Sequence, residues 1–315
     1  MKSNYLVVFA FLFMLLVACS PQAPEKTHSR KAQNNGVSDS KQKGQQRIIV
    51  IGSTLAEIVV ALGAADRVVG VGAGTEHIRE LENVPVIPGY RNTSSENMLA
   101  LAPTVALFAG RQAAPGLVDQ LELSGVKVHL FADDARNIEA VPENIERIGA
   151  ILGTQNRATK LNEHFKQELH YALAKVEKVT AKITNKPKGL FILSGGGRPT
   201  LVAGGNTDIA LIIEMAGGLN MTRDIQHFKP MSQEKMLEAA PEFILINKEG
   251  KQISGGLPVA LTAPGVQLTP AGKNQNIITL PSGYLVGLGL STPKAILALA
   301  RQIYPNFDVN AALAE

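Results

Sequence analysis

Ser94-Ser95-Glu96-Asn97-Met98-Leu99-Ala100-Leu101-Ala102-Pro103-Thr104-Val105-Ala106-Leu107-Phe108 decides the fold, because its pattern returns as Ser232-Gln233-Glu234-Lys235-Met236-Leu237-Glu238-Ala239-Ala240-Pro241-Glu242-Phe243-Ile244-Leu245-Ile246. The shared Ser, Glu, Met, Leu and Pro are all displaced by 138 positions (234 − 96 = 138). A Ser with a Glu in the following turn opens a short capped helix, and the Pro ends it. The apolar run after each Pro has the length and composition of a buried strand. Two copies this far apart predict two lobes built alike, since solenoid repeats are much shorter. Two such lobes imply a cleft between them.

The surrounding sequence supplies more alternation of the same kind. Arg47 to Ile51 predicts a strand, Thr54 to Leu62 a helix stopped by Gly63, and Val68 to Val71 a second strand leading to a loop with His77 and Pro88-Gly89-Tyr90. Val126 to Phe131 predicts another strand. Strands alternating with helices point to parallel sheets covered on both faces. Between Thr154 and Lys186 there is neither Gly nor Pro, and Ala158, Leu161, Phe165, Leu169, Ala172, Val176, Val179 and Ile183 form one apolar stripe at helical spacing. About 30 residues rising 1.5 Å each make a rod of about 45 Å, longer than one small lobe needs, so this helix is expected to join the lobes. The second lobe opens at Leu190 to Leu193, followed by Gly195-Gly196-Gly197, and its last helix starts at Pro293. The glycine run lacks GxGxxG spacing and a Walker Lys-Ser/Thr pair, so nucleotide binding is not expected.

The start of the chain has a different character. Lys2 is followed by an apolar run, Tyr5 to Val17, too short for a stable membrane span. It ends Leu16-Val17-Ala18-Cys19, and Cys19 is the single cysteine among 315 residues. Small residues before that cysteine resemble a bacterial lipobox, which implies a signal peptide over 1–18 and lipidation at Cys19. With one thiol no intramolecular disulfide can form, so the domain relies on its core. Residues 20–46 are polar, rich in Lys, Gln and Ser, and cannot bury enough surface to offset ordering; 19–46 is expected to be a lipidated tether. The expected division is then an N-terminal lobe over 47–153, a connecting helix over 154–187, a C-terminal lobe over 188–306 and a tail over 307–315. The formal net charge of +4 is modest and shows no basic patch interleaved with aromatics, so no nucleic-acid partner is expected.

Several phrases together carry a family resemblance: the lipobox, Gly52-Ser53-Thr54-x-x-Glu57-Ile58, Gly89-Tyr90, Val202-Ala203-Gly204-Gly205-Asn206-Thr207, Ala216-Gly217-Gly218, Lys229-Pro230-Met231-Ser232 and Leu268-Thr269-Pro270-Ala271-Gly272. In this order they resemble haemin-binding proteins, the substrate-binding subunits of bacterial ABC haem importers. These lie within the class III periplasmic binding proteins that also take cobalamin and ferric siderophores. The resemblance covers residues 47 to 306. It implies an α/β fold of two Rossmann-like lobes joined by a single long α-helix, with the ligand cleft between lobes. It also implies no enzymatic activity, haem b as the transported ligand, and permease and ATPase subunits of an ABC transporter as partners. The protein would sit on the periplasmic side of the envelope, held to the membrane only through lipid on Cys19.

Residue by residue, the resemblance makes Tyr90 the ligand of the haem iron. Ferric iron is a hard acid and phenolate a hard anionic donor. Tyr ionises near pH 10 when free, so a neighbouring cation must favour the phenolate, and Arg91 is adjacent. Taken alone, a Tyr beside Gly in a loop is a turn residue. His227 and His77 are candidates for a second axial position or a second haem, against the plainer alternative of solvated loop histidines. Where the family carries Gly-Phe-Gly-Pro-Arg-Thr-Pro, this chain has Gly287-Leu288-Gly289-Leu290-Ser291-Thr292-Pro293, so the Arg that would pair a propionate is Ser291. Lys229, His227, Arg198 and Arg223 are the candidates to compensate, and Arg91 joins Lys229, Arg198 and Arg223 as a propionate or cleft residue. Glu96 and Glu234 sit where the helix dipole alone favours a Glu; the resemblance adds docking to the permease. The alternatives are the same fold carrying cobalamin or a ferric siderophore and, more distantly, an exported α/β enzyme. A chain with no Trp and 5 Tyr is poor in the aromatic walls that suit cobalamin, which tilts the expectation to haem.

Overall fold

In β1 (Ile48–Ile51) every position is buried, as a parallel strand covered on both faces requires. The computed structural model describes residues 45–88, 94–110, 116–132, 136–195, 198–248, 253–254, 257–285 and 287–307. From β1 the chain enters α1 (Ser53–Ala61), then β2 (Val68–Gly72), β3 (Val86–Ile87), α2 (Ser95–Leu99), β4 (Val105–Ala109), α3 (Leu117–Leu123) and β5 (Lys127–Phe131). The five strands lie in the order β3-β2-β1-β4-β5, all parallel. Parallel order brings every strand's carboxyl end, and the loop leaving it, to one edge of the sheet.

Two helices follow, α4 (Ala140–Leu152) and α5 (Gln155–Thr180). At 26 residues α5 is about 39 Å long. Its stripe is buried as predicted at Ala158, Phe165, Leu169, Ala172 and Val176, with Leu161, Val179 and Ile183 partly buried against the same core. The helix ends at Thr180 and does not run to Lys186. Pro187 disfavours helical backbone at the residue before it, and Thr184 and Asn185 are weak helix formers, so the chain turns in time to enter the next strand.

The second lobe contains β6 (Lys188–Gly195), β7 (Arg198–Ala203), α6 (Asp208–Met215), β8 (Leu219–Asn220), β9 (Phe228–Lys229), α7 (Gln233–Ala239) and β10 (Phe243–Asn247). A small hairpin of β11 (Ile253–Ser254) and β12 (Leu257–Pro258), then α8 (Pro270–Lys273), β13 (Ile277–Leu280) and α9 (Thr292–Ile303), complete it. The sheet order is β13-β10-β6-β7-β9, with β8 also on β6. β8, β10 and β13 run parallel to their neighbours, whereas β7 is antiparallel to β6 and β9 antiparallel to β7.

The repeated phrase builds the same unit twice. The Ser94 hydroxyl accepts the Asn97 main-chain N–H at 3.3 Å, and the Ser232 hydroxyl accepts that of Lys235 at 3.3 Å. Met98 and Met236 are buried under their helices, and β4 and β10 share one burial pattern. A single apolar cluster runs through both lobes, from Ile48, Ile58 and Ile148 by way of Phe165 to Phe243, Ile278 and Ile296. Two smaller clusters lie on the opposite faces of the sheets, one per lobe. The expected α/β architecture of two lobes with a long helix between them is the one observed.

The cleft between the lobes as candidate functional site

Side chains tie the lobes at two places. On one side Arg136, beyond β5, donates to the Gly205 carbonyl at 2.6 Å and pairs with Glu214 of α6 at 2.7 Å. On the other, the Ser291 hydroxyl donates to the Gly283 carbonyl at 2.8 Å and faces Glu57 Oε1 of α1 at 3.4 Å. Glu57 Oε1 also holds Nε2 of His77 at 3.0 Å. A Cβ on Gly283 would fall 2.5 Å from Cδ2 of His77, so the bare glycine backbone is what lets the ring lie against it. Ser291, at the place of the family's Arg, is therefore a partner of Glu57. Burial pushes the Glu57 carboxyl pKa up, opposed by the hydrogen bond and charge of His77 and by the bonds from Ser291. Its Oε2 is buried and has no partner among the described residues.

Between these ties the second lobe presents an apolar wall. Phe191 and Leu193 from β6, Phe228 from β9, Ile209 from α6 and Leu285 line a pocket with Asn247 and Ser282 among its polar groups. Phe191 and Phe228 meet edge to face with centroids 6.3 Å apart, a favoured aromatic geometry. Leu193 and Phe228 keep 39% and 37% of their surface exposed, so the wall is open to a ligand. None of these apolar residues was singled out by the sequence. A run such as Leu190 to Leu193 signals a buried strand, and nothing in it marks the last member as exposed.

His227 precedes this wall with φ at 59°, in the left-handed region. Its main-chain N–H donates to Oδ1 of Asn206 at 2.6 Å, and its Nδ1 faces Nδ2 of Asn206 at 3.2 Å. Lys229 and Arg223 are exposed on the same lobe, Lys229 on β9. Glu96 and Glu234 are exposed in the first turns of α2 and α7. Thus His227 is joined to Asn206, whereas His77 belongs to the tie around Glu57. Cys19, Tyr90 and Arg91 lie outside the described residues, as does the side chain of Arg198. Among the described residues no group of three or more His, Cys, Asp or Glu could hold a metal ion.

The sequence model of the family described as Periplasmic binding protein matches residues 48–284. The chain is a periplasmic binding protein. Similar solved structures include the periplasmic heme-binding protein RhuT from Roseiflexus sp. RS-1 in its apo form. That match has a TM-score of 0.77 at 31% identity and spans 84% of this chain and 100% of that one. The periplasmic heme-binding protein BhuT in complex with two hemes matches at a TM-score of 0.76 and 30% identity, over 82% of this chain and 98% of that one. Among curated relatives, the vitamin B12-binding protein of Yersinia pseudotuberculosis serotype O:3 (strain YPIII) is 22% identical over 211 residues, 66% of this chain and 71% of the relative. A periplasmic binding protein is a non-enzymatic transport component, and the exported-enzyme alternative is set aside by this membership. No helix among the described residues is long and apolar enough to cross a membrane.

Proposed function

We propose that this periplasmic binding protein carries ferric haem b in its cleft and delivers it to an ABC transporter permease energised by its ATPase. The observation that carries the reading is the apolar wall in which Leu193 and Phe228 stand exposed beside buried Phe191, with Lys229 and Arg223 exposed on the same lobe. A porphyrin is a flat apolar body with carboxylates at one edge, and it needs a greasy face flanked by cations. The likeness to RhuT and BhuT at about 30% identity supports the same ligand class.

In this reading Tyr90 is the iron ligand, and the Arg91 guanidinium favours its phenolate form. Lys229, Arg223, Arg91 and Arg198 share the propionates that the absent Arg at position 291 leaves unpaired. Glu96 and Glu234 dock one lobe each to the permease, Cys19 carries the lipid, and residues 19–46 tether lobes 47–153 and 188–306 to the membrane.

The test is a titration of the soluble part, residues 20–315, with ferric haem, followed through its Soret and charge-transfer bands beside Tyr90→Phe. The expected result is a saturable five-coordinate phenolate spectrum that the variant loses. Saturable binding of cobalamin in place of haem would favour the second reading, which the vitamin B12-binding relative supports. Charge reversal at both Glu96 and Glu234 is expected to abolish uptake in cells while leaving haem affinity unchanged.

A further inference from the structure

His227 adjoins the apolar wall. Phe228 beside it belongs to the apolar wall, and Asn206 stands between Gly205, the acceptor for Arg136, and Asp208, which also lines the pocket. Its left-handed backbone is a conformation that β-carbon-bearing residues seldom adopt. Asn206 is the group that holds it, with one contact to the main chain and one to the ring.

These two contacts determine where the imidazole carries its proton. A main-chain N–H can only donate, so the amide oxygen of Asn206 must face it. That orientation turns the amide NH2 toward Nδ1 of His227, and an NH2 group also can only donate. Nδ1 must therefore accept, and in a neutral imidazole the proton is then on Nε2. Among the described residues Nε2 has no partner. We infer that Asn206 locks His227 as the Nε2–H tautomer, so that His227 is a hydrogen-bond donor to an anionic oxygen of the cleft ligand and not a lone pair for its iron. Under the haem reading, on which this part rests, that anionic oxygen belongs to a propionate carboxylate. His227 then makes up part of the recognition that Ser291 cannot supply.

Two measurements decide it. Two-bond 15N–1H correlation of the histidine ring in the unliganded protein, at about pH 8 and so above the ordinary histidine range, is expected to show the Nε2–H pattern for His227. In Asn206→Asp the carboxylate still accepts the main-chain N–H but demands a proton on Nδ1, so the pattern should switch. An Nδ1–H pattern or an even mixture in the wild type would overturn the proposal. The second measurement is haem affinity in His227→Gly, which suits the left-handed backbone and removes only the imidazole. A charge-assisted hydrogen bond at a partly exposed site predicts about a tenfold loss for haem, none for its dimethyl ester, and an unchanged iron spectrum. A changed axial signature, or equal losses for both compounds, would overturn the donor role. A wild-type chain that binds no haem would sink the haem reading and the propionate with it, while the ring pattern would still decide the tautomer.

Discussion

The first lobe is a pure parallel sheet, whereas the second interrupts its parallel strands with β7 and β9 running the opposite way to their neighbours. In the first lobe every strand therefore ends at the same edge, and loops such as the one carrying His77 leave from it. In the second lobe the chain turns back at the end of β6, and the cleft wall is made of strand faces: Leu193, Phe191 and Phe228. Loops offer single polar groups at chosen points, while a strand face offers a rigid apolar plane. Under the haem reading the two lobes divide the work of holding an amphipathic ligand, although both contain the same Ser-Glu-Met-Leu-Pro unit.

The comparison breaks most directly at the core the lobes share. Phe165 on α5 is 1% exposed in a cluster that runs through both. Phe165→Ala is expected to lower stability by about 3–5 kcal/mol in one calorimetric transition; two separate transitions would show the lobes to be independent. Next come the caps. Ser94→Ala and Ser232→Ala should each cost about 1 kcal/mol, and chemical denaturation giving unequal losses would mean that the repeated helices are alike only in sequence. Arg136→Ala cuts a tie whose two side chains are 38% and 37% exposed, so the loss should stay within about 0.2–1 kcal/mol and shrink in high salt.

The smallest effect concerns the other tie. Burial raises the pKa of Glu57 in the folded state, so ionising it weakens the fold. The stability this group contributes is present below its unfolded pKa, about 4.3, and is lost as pH rises through the raised folded value. Glu57→Gln keeps an acceptor for His77 and removes that loss. Its melting temperature should therefore depend less on pH across this window than that of the wild type, and a steeper dependence would contradict the assignment.

Much of the fold was legible because it follows from local signals. The Ser caps, the Pro stops and the stripe on α5 each act within a turn or two of chain. α4 was not anticipated, although Val141, Ile145, Ile148 and Leu152 repeat at helical spacing before Gly153; its internal Pro142 and the lack of a capping side chain obscure its start. The reversal at β7 was hidden behind a glycine run that signals only a turn. At the site, the chemistry of His77 was suggested by its residue type, but its pairing with Glu57 and the contact of Glu57 with Ser291, 234 positions further on, depend on which strand ends become neighbours. Arg136 with Glu214 is likewise a product of topology. A sequence names the groups; the sheet order decides which of them meet.

The placement of α9 sets a condition on how the molecule is made. Ala295, Ile296, Leu299 and Ala300 are fully buried, and the helix packs on both α5 and α6. It is the last described helix in chain order, yet it seals the interior on which both lobes depend. Until it is in place, the earlier elements present apolar faces to water. A nascent chain interrupted before residue 292 is an unsealed molecule open to degradation, so quality control falls on the final turns of the polypeptide.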